Sequence, residues 1–164
     1  RTARPNWPSS RLPQGRPDPV DHGQLSAYLT GVDRRKRRRS ERVPDPAFDD
    51  ATKWAVDAGV AVSGGLTTFT AAADGAAARV ATALRPVVLA GETYRWTVEV
   101  VSVALGGVAF RAFAGGAVGA TITTPGVHTG TTVVVNSGAA DLGVRAIGST
   151  TAVVTRFSLK KISP

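Results

Sequence analysis

"TYRWTVEVV", Thr93–Val101, decides the fold class. Tyr94, Trp96, Val98 and Val100 alternate with Arg95, Thr97 and Glu99. Successive side chains of a strand point to opposite faces, so this spacing gathers the apolar set on one face and the polar set on the other. A helix would scatter the same residues around its axis. One buried and one solvated face is the signature of an antiparallel sheet.

Working outward, the same kind of segment recurs. Strands are expected near Trp54–Asp57, Leu66–Ala71, Ala78–Leu84, Thr93–Ala104, Val108–Phe113, Thr129–Asn136, Leu142–Ile147 and Val153–Ile162. Gly64-Gly65, Asp74-Gly75, Ala90-Gly91, Gly106-Gly107, Gly115-Gly116, Pro125-Gly126, Ser137-Gly138 and Gly148 are read as the breaks between them. Short strands at such intervals predict an all-β fold, a jelly-roll β-sandwich over residues 47–164. In the closing "TRFSLKKI", Phe157, Leu159 and Lys161 share one face, while Arg156, Ser158 and Lys160 share the other. The end of that strand is expected to leave the sandwich.

Residues 1–46 have a different composition. They hold seven of the ten prolines, and Pro disfavours helix for the residue before it. They also hold eleven Lys/Arg against five Asp/Glu, +6, while residues 47–164 hold nine against seven, +2. The expectation is an extended Pro/Arg-rich N-terminal arm ahead of a nearly neutral body. Within the arm, "DHGQLSAYLTG" (Asp21–Gly31) predicts one short helix. Asp21 and Gln24 form a capping box, and Leu25, Tyr28 and Leu29 form an apolar stripe. A helix this short needs a partner surface.

The residue inventory argues against several chemistries. There is no Cys, so thiolate metal sites, thiol nucleophiles and disulfides are excluded. His22 and His128 stand apart with no metal-ligand spacing, and no metal or cofactor is expected. No G-x-S-x-G elbow occurs, and "AGGAVGA" (Ala114–Ala120) lacks the Lys-Ser/Thr of a phosphate loop and reads as hairpin turns. Asp57, Asp74 and Asp141 sit where turns are expected, which explains them better than acid–base work. Trp54, Phe69, Tyr94, Trp96 and Phe157 read as core. The expectation is a protein that is not an enzyme. No apolar run reaches the ~18–20 residues of a membrane helix, and no signal-peptide pattern opens the chain.

Three stretches carry a family resemblance. "FDDATKWAVDAGVAVSGGLTTFTA", "ATALRPVVLAGETYRWTVEVVS" and "AVVTRFSLKKI" resemble the carbohydrate-binding-module-like (galactose-binding-like) jelly rolls. The matching residues are Phe48, Trp54, Gly64, Gly65, Ala90, Gly91, Tyr94, Arg95 and the Phe157–Leu159 strand. The resemblance covers about residues 47–162 and none of the arm. It implies a setting in virion proteins of tailed bacteriophages, where such modules sit on heads, collars, tails and fibres. Many members place a calcium-binding carboxylate just before the closing strand; Thr155 stands there, followed by Arg156, and only Asp49 and Asp50 remain nearby. Sugar-binding members use exposed aromatics, for which Phe110 and Phe113 are the candidates, on opposite faces of one strand.

The arm supplies the other candidates. Trp7, in "RPNWPSS", has no local core and reads as an anchor for a neighbour's pocket. The helical stripe Leu25, Tyr28 and Leu29 is a second grip. "DRRKRRRSER" (Asp33–Arg42) holds seven basic residues, with Arg34, Arg35, Lys36, Arg37, Arg38 and Arg39 in a row. Guanidinium forks onto the carboxylates of an acidic protein neighbour are preferred over contact with DNA phosphate. No aromatics interleave the run, which disfavours base stacking. The functional expectation is a structural virion protein: a head decoration, collar or tail-attachment module. It would be arranged symmetrically and anchored by its arm to capsid, portal, adaptor or tail subunits, with no membrane partner. A carbohydrate-binding module contacting host glycans and a basic-arm nucleic-acid-binding accessory protein are the alternatives.

Overall fold

The computed structural model describes residues 41–113 and 116–162. The arm helix and all the arm grips, from Trp7 through the stripe to Arg39, lie outside the described residues.

Ten strands follow in order: β1 (Trp54–Val56), β2 (Val60–Ser63), β3 (Leu66–Ala72), β4 (Ala77–Val80), β5 (Val87–Val88), β6 (Thr93–Ala112), β7 (Gly116–Ile122), β8 (Gly126–Val133), β9 (Gly138–Ala139) and β10 (Gly143–Lys161). The chain is all-β among the described residues, apart from single helical turns at Ala51–Lys53 and Thr82–Leu84. β6 and β10, 20 and 19 residues long, form its frame. They pair antiparallel from Gly143↔Arg111 to Lys161↔Tyr94.

The remaining strands line the two outer edges of this frame. Along β6, β8 faces Thr93–Val100 and β7 faces Val108–Ala112. Along β10, β4 pairs with Gly143–Arg145 and β3 with the segment around Ala152–Val154. β1 adds to β4, and β2 adds to β3. β5 and β9 make a separate two-stranded ribbon.

Glycines that the sequence reading took as breaks are bends inside continuous strands. Gly106 in β6 has φ 66°, Gly148 in β10 has φ 69°, and the register shifts between Ile147 and Thr151. The two strands therefore turn together at one level. Thr150, fully buried, pins the corner: its hydroxyl lies 2.9 Å from the Gly107 carbonyl and 3.2 Å from that of Ile147. A Cβ on Gly106 would lie 2.4 Å from the Ser149 carbonyl, so only glycine passes this corner.

The bend folds a nearly closed sheet so that its halves face each other across one core. Phe110, beyond the bend, has its ring centroid 5.5 Å from that of Phe157 and 5.7 Å from that of Trp96, both from the other half. Tyr94, Trp96, Val98 and Val100 all point inward and are buried, as their alternation requires. Thr155 is an extra residue in β10: Val154 faces Val100 while Arg156 faces Glu99. This bulge switches the inward set from Ala152 and Val154 to Phe157 and Leu159.

Candidate functional site at the arm junction and the Trp96 groove

Residues 41–46, which composition assigns to the arm, are built into the body. The Arg42 amide donates to the Leu159 carbonyl at 2.8 Å, and the Phe157 amide donates to the Pro46 carbonyl at 2.9 Å. The segment thus takes the edge of β10 that β3 leaves open. The Glu41 backbone forms an antiparallel β-bridge with Lys160, and the Glu41 carboxylate accepts from the Leu159 amide (2.9 Å), from the Arg42 and Val43 amides (3.1 Å each) and from the Ser158 hydroxyl. Ser158 is on the outer face yet buried, because Glu41 covers it. Val43 and Phe48 enter the main core. The body therefore starts at or before Glu41, and a boundary at 46/47 would cut a packed segment.

Asp45 organises the next turn. Its carboxylate, 7% exposed, accepts from the Asp49 amide (3.1 Å), the Asp50 amide (3.0 Å) and the Trp54 indole N–H (3.0 Å). Phe48 within this turn has φ 59°, a left-handed conformation that a bulky residue keeps only when packing enforces it. Its ring lies 4.6 Å from that of Trp54. Asp50 accepts from the Thr52 amide and hydroxyl and pairs with Lys53 at 3.3 Å. The Thr52 hydrogen bonds hold the Asp50 carboxyl below its ordinary range.

A polar network closes the same end of the body. Lys161 pairs with Glu92 at 2.6 Å, the Tyr94 hydroxyl donates to Glu92 at 2.5 Å, and the Leu89 amide donates to it at 3.1 Å. The Lys161 and Tyr94 hydrogen bonds, with that of the Leu89 amide, bring Glu92 down to about 2. Burial, reinforced by the hydrogen bond to Glu92, pushes Tyr94 up to about 12. The Arg42 guanidinium stands 6.0 Å from the Tyr94 ring centroid. A hollow of about 530 Å³ opens here between Leu89–Thr93 and Lys161–Ile162.

The second feature is a groove of about 430 Å³ between β7 and β8, lined by Trp96, Ile122, His128 and threonines 121, 123, 124 and 129. Trp96 forms its floor and is 7% exposed. Two glycines admit the indole: a Cβ at Gly130 would come within 2.5 Å of Trp96 Cζ2, and one at Gly119 within 3.2 Å. The His128 ring is fixed by its Nε2, 2.9 Å from the Thr124 carbonyl oxygen. The lining pairs an aromatic edge with neutral hydroxyls, which is chemistry for an uncharged polar ligand.

The aromatics named for glycan contact are elsewhere. Phe110 is fully buried between Trp96 and Phe157, so its surface assignment is corrected to core. Phe113, partly buried, packs on that core with its ring centroid 6.2 Å from that of Tyr94. Sequence reasoning missed Glu41, Ser158 and the Trp96 groove; the glycines at 119 and 130 were the available signal for the groove.

The turn carboxylates hold the fold. Asp57 pairs with Arg79 and accepts from the Ala77 amide at 3.1 Å, and Asp74 accepts from the Gly148 amide at 2.9 Å. Asp141 pairs with Arg85 at 2.8 Å and Arg111 at 2.5 Å. Among the described residues no three His, Cys, Asp or Glu side chains gather as a metal site, and no helix is long and apolar enough to cross a membrane. Comparison with protein-family models, curated proteins and solved structures finds no match to this chain.

Proposed function

We propose that the protein is a structural module of a virion, of a tailed phage or a phage-like particle, in which the body is a jelly roll and the basic arm docks on neighbouring subunits. The observation that carries this reading is the junction. Among the described residues, the segment that leads out of the arm is a hydrogen-bonded run along β10, reinforced by Glu41 and anchored by Val43 and Phe48. β10 is in turn one of the two frame strands of the body, matched to β6 from Gly143 to Lys161. Such a junction suits a domain held in place by its N-terminal segment. The arm adds Trp7, the Leu25, Tyr28 and Leu29 stripe and the Arg34–Arg39 run as grips for a large, partly acidic surface. Repetition around a symmetric particle multiplies weak grips by avidity. The resemblance to phage-borne jelly rolls supports the setting as head decoration, collar or tail attachment.

Cross-linking mass spectrometry on assembled particles tests this. The reading expects cross-links from Lys36 to acidic segments of capsid, portal, adaptor or tail subunits. Cross-links confined to the protein's own body would overturn it, and protection of the run by DNA would favour the nucleic-acid alternative.

The Trp96 groove favours carbohydrate binding as a second reading, moved from Phe110 and Phe113 to β7 and β8. A glycan array with the full chain and with Thr123→Lys, placed on the groove wall, tests it. Glycan binding lost in the variant supports the reading, and no binding by the wild type removes it.

A further inference from the structure

The free edges of the sheet are not treated alike. β1 and β2 are three and four residues long, and short edges offer little to a foreign strand. β7 is interrupted by a register shift opposite Val108–Phe110 and by Gly119 at φ 78°. β8 is longer than β1 and β2, and its one positive-φ glycine, Gly126 at φ 129°, is its first residue and leaves the ladder intact. Its eight residues pair with β6 without a break, from Thr93↔Val133 to Val100↔Gly126. The segment "GVHTGTTV" contains no Lys, Arg, Asp, Glu or Pro. Among the described residues β6 is its one ladder partner, so its other edge presents a row of unpaired N–H and C=O groups. The outward side chains are exposed, with Val127 at 64% and Val133 at 56%.

We propose that β8 is a self-association edge: two copies of this chain pair β8 to β8, antiparallel across a two-fold axis through Gly130. The sequence closes on itself in this register. Val127 faces the partner's Val133, Thr129 faces the partner's Thr131, and Gly130 meets the partner's Gly130. Cross-strand pairs of β-branched residues and of threonines are favourable, and each pair occurs twice by symmetry. A slip by one residue is excluded, because it would set outward Val127 and Val133 against inward His128 and Thr132. The register also keeps charges apart, since Arg95 on β6 lies beyond Thr131 and opposes no cation of the other copy. The joined sheet would run without interruption through both bodies.

The proposal is independent of the virion reading, because it concerns the full chain in solution. Sedimentation velocity over a concentration series should show a reversible dimer. The double variant Thr129→Lys with Thr131→Lys sets like charges opposite each other twice and should weaken the dimer by at least about tenfold. Thr129→Lys with Thr131→Glu sets opposite charges across the axis and should restore it. All these side chains are exposed, so thermal melts should stay close to wild type. The chain has no cysteine, so Thr129→Cys with Thr131→Cys gives a clean second test: oxidation should yield a covalent dimer. A wild type that stays monomeric at every concentration overturns the proposal. So does a Lys/Lys variant that dimerises as wild type, a Lys/Glu variant that does not recover, or a cysteine pair that fails to cross-link.

Discussion

The carboxylate of Glu41 caps the hydroxyl of Ser158, a residue 117 positions later in the chain, and the same carboxylate receives the Leu159 amide at 2.9 Å. Together with the Arg42–Leu159 and Phe157–Pro46 backbone hydrogen bonds, this contact seats the start of the body along β10. Glu41→Ala leaves a buried hydroxyl and an amide without their acceptor, at a cost of about 1–3 kcal/mol. Urea denaturation should show the loss, and Glu41→Gln, which keeps an acceptor oxygen, should cost less.

Gly130→Ala brings a methyl group against the Trp96 indole, where the ideal Cβ lies 2.5 Å from Cζ2. The ring must move, and overpacking of this kind costs about 1–3 kcal/mol. Thermal melting should fall and tryptophan fluorescence should shift. Thr131→Ala, one position on and exposed, should change neither by much.

Phe110→Ala should behave as a core truncation, at about 3–5 kcal/mol, because the ring is fully buried between two other aromatics. Calorimetry would check it. A variant with unchanged stability would contradict the core assignment.

The pH dependence follows from Glu92, whose carboxyl falls from 4.5 to about 2 on folding through Lys161, Tyr94 and the Leu89 amide. A depressed carboxyl stabilises the fold fully above 4.5, and that contribution fades as pH falls toward about 2. Tyr94 works in the opposite sense: with its hydroxyl raised from 10 to about 12, it contributes below 10 and loses that contribution as pH rises through about 12. Melts from neutral pH down to about 2 should therefore drop more steeply for wild type than for Glu92→Gln, which lacks the titrating group.

Local alternation made the main face legible: every inward residue of Thr93–Val101 is where period 2 puts it. Long-range closure was not legible. Gly106-Gly107 and Gly148 have the composition of turns, and only their opposition across β6 and β10 makes them a shared bend. β7 was hidden by its glycines, which read as a hairpin turn although Gly119 is there to admit Trp96. Parity alone did not mark Phe110 as core: Val108, Phe110 and Ala112 share a face and are buried, but Ala109 on the other face is buried as well. The Glu41 contact had no sequence signal, because a carboxylate and a serine 117 residues apart carry no spacing rule.

In the proposed function residues 1–40 dock the protein, while the segment from Glu41 onward belongs to the fold. Two truncations separate these roles in one particle-incorporation assay, read by co-sedimentation with assembled particles and by thermal melting. Removal of residues 1–40 should leave the melt of the body unchanged and abolish incorporation. Removal of residues 1–46 should also lower the melt, because Glu41, Val43 and Asp45 leave with it. A folded protein without residues 1–40 that enters particles at the wild-type level would contradict docking by the arm.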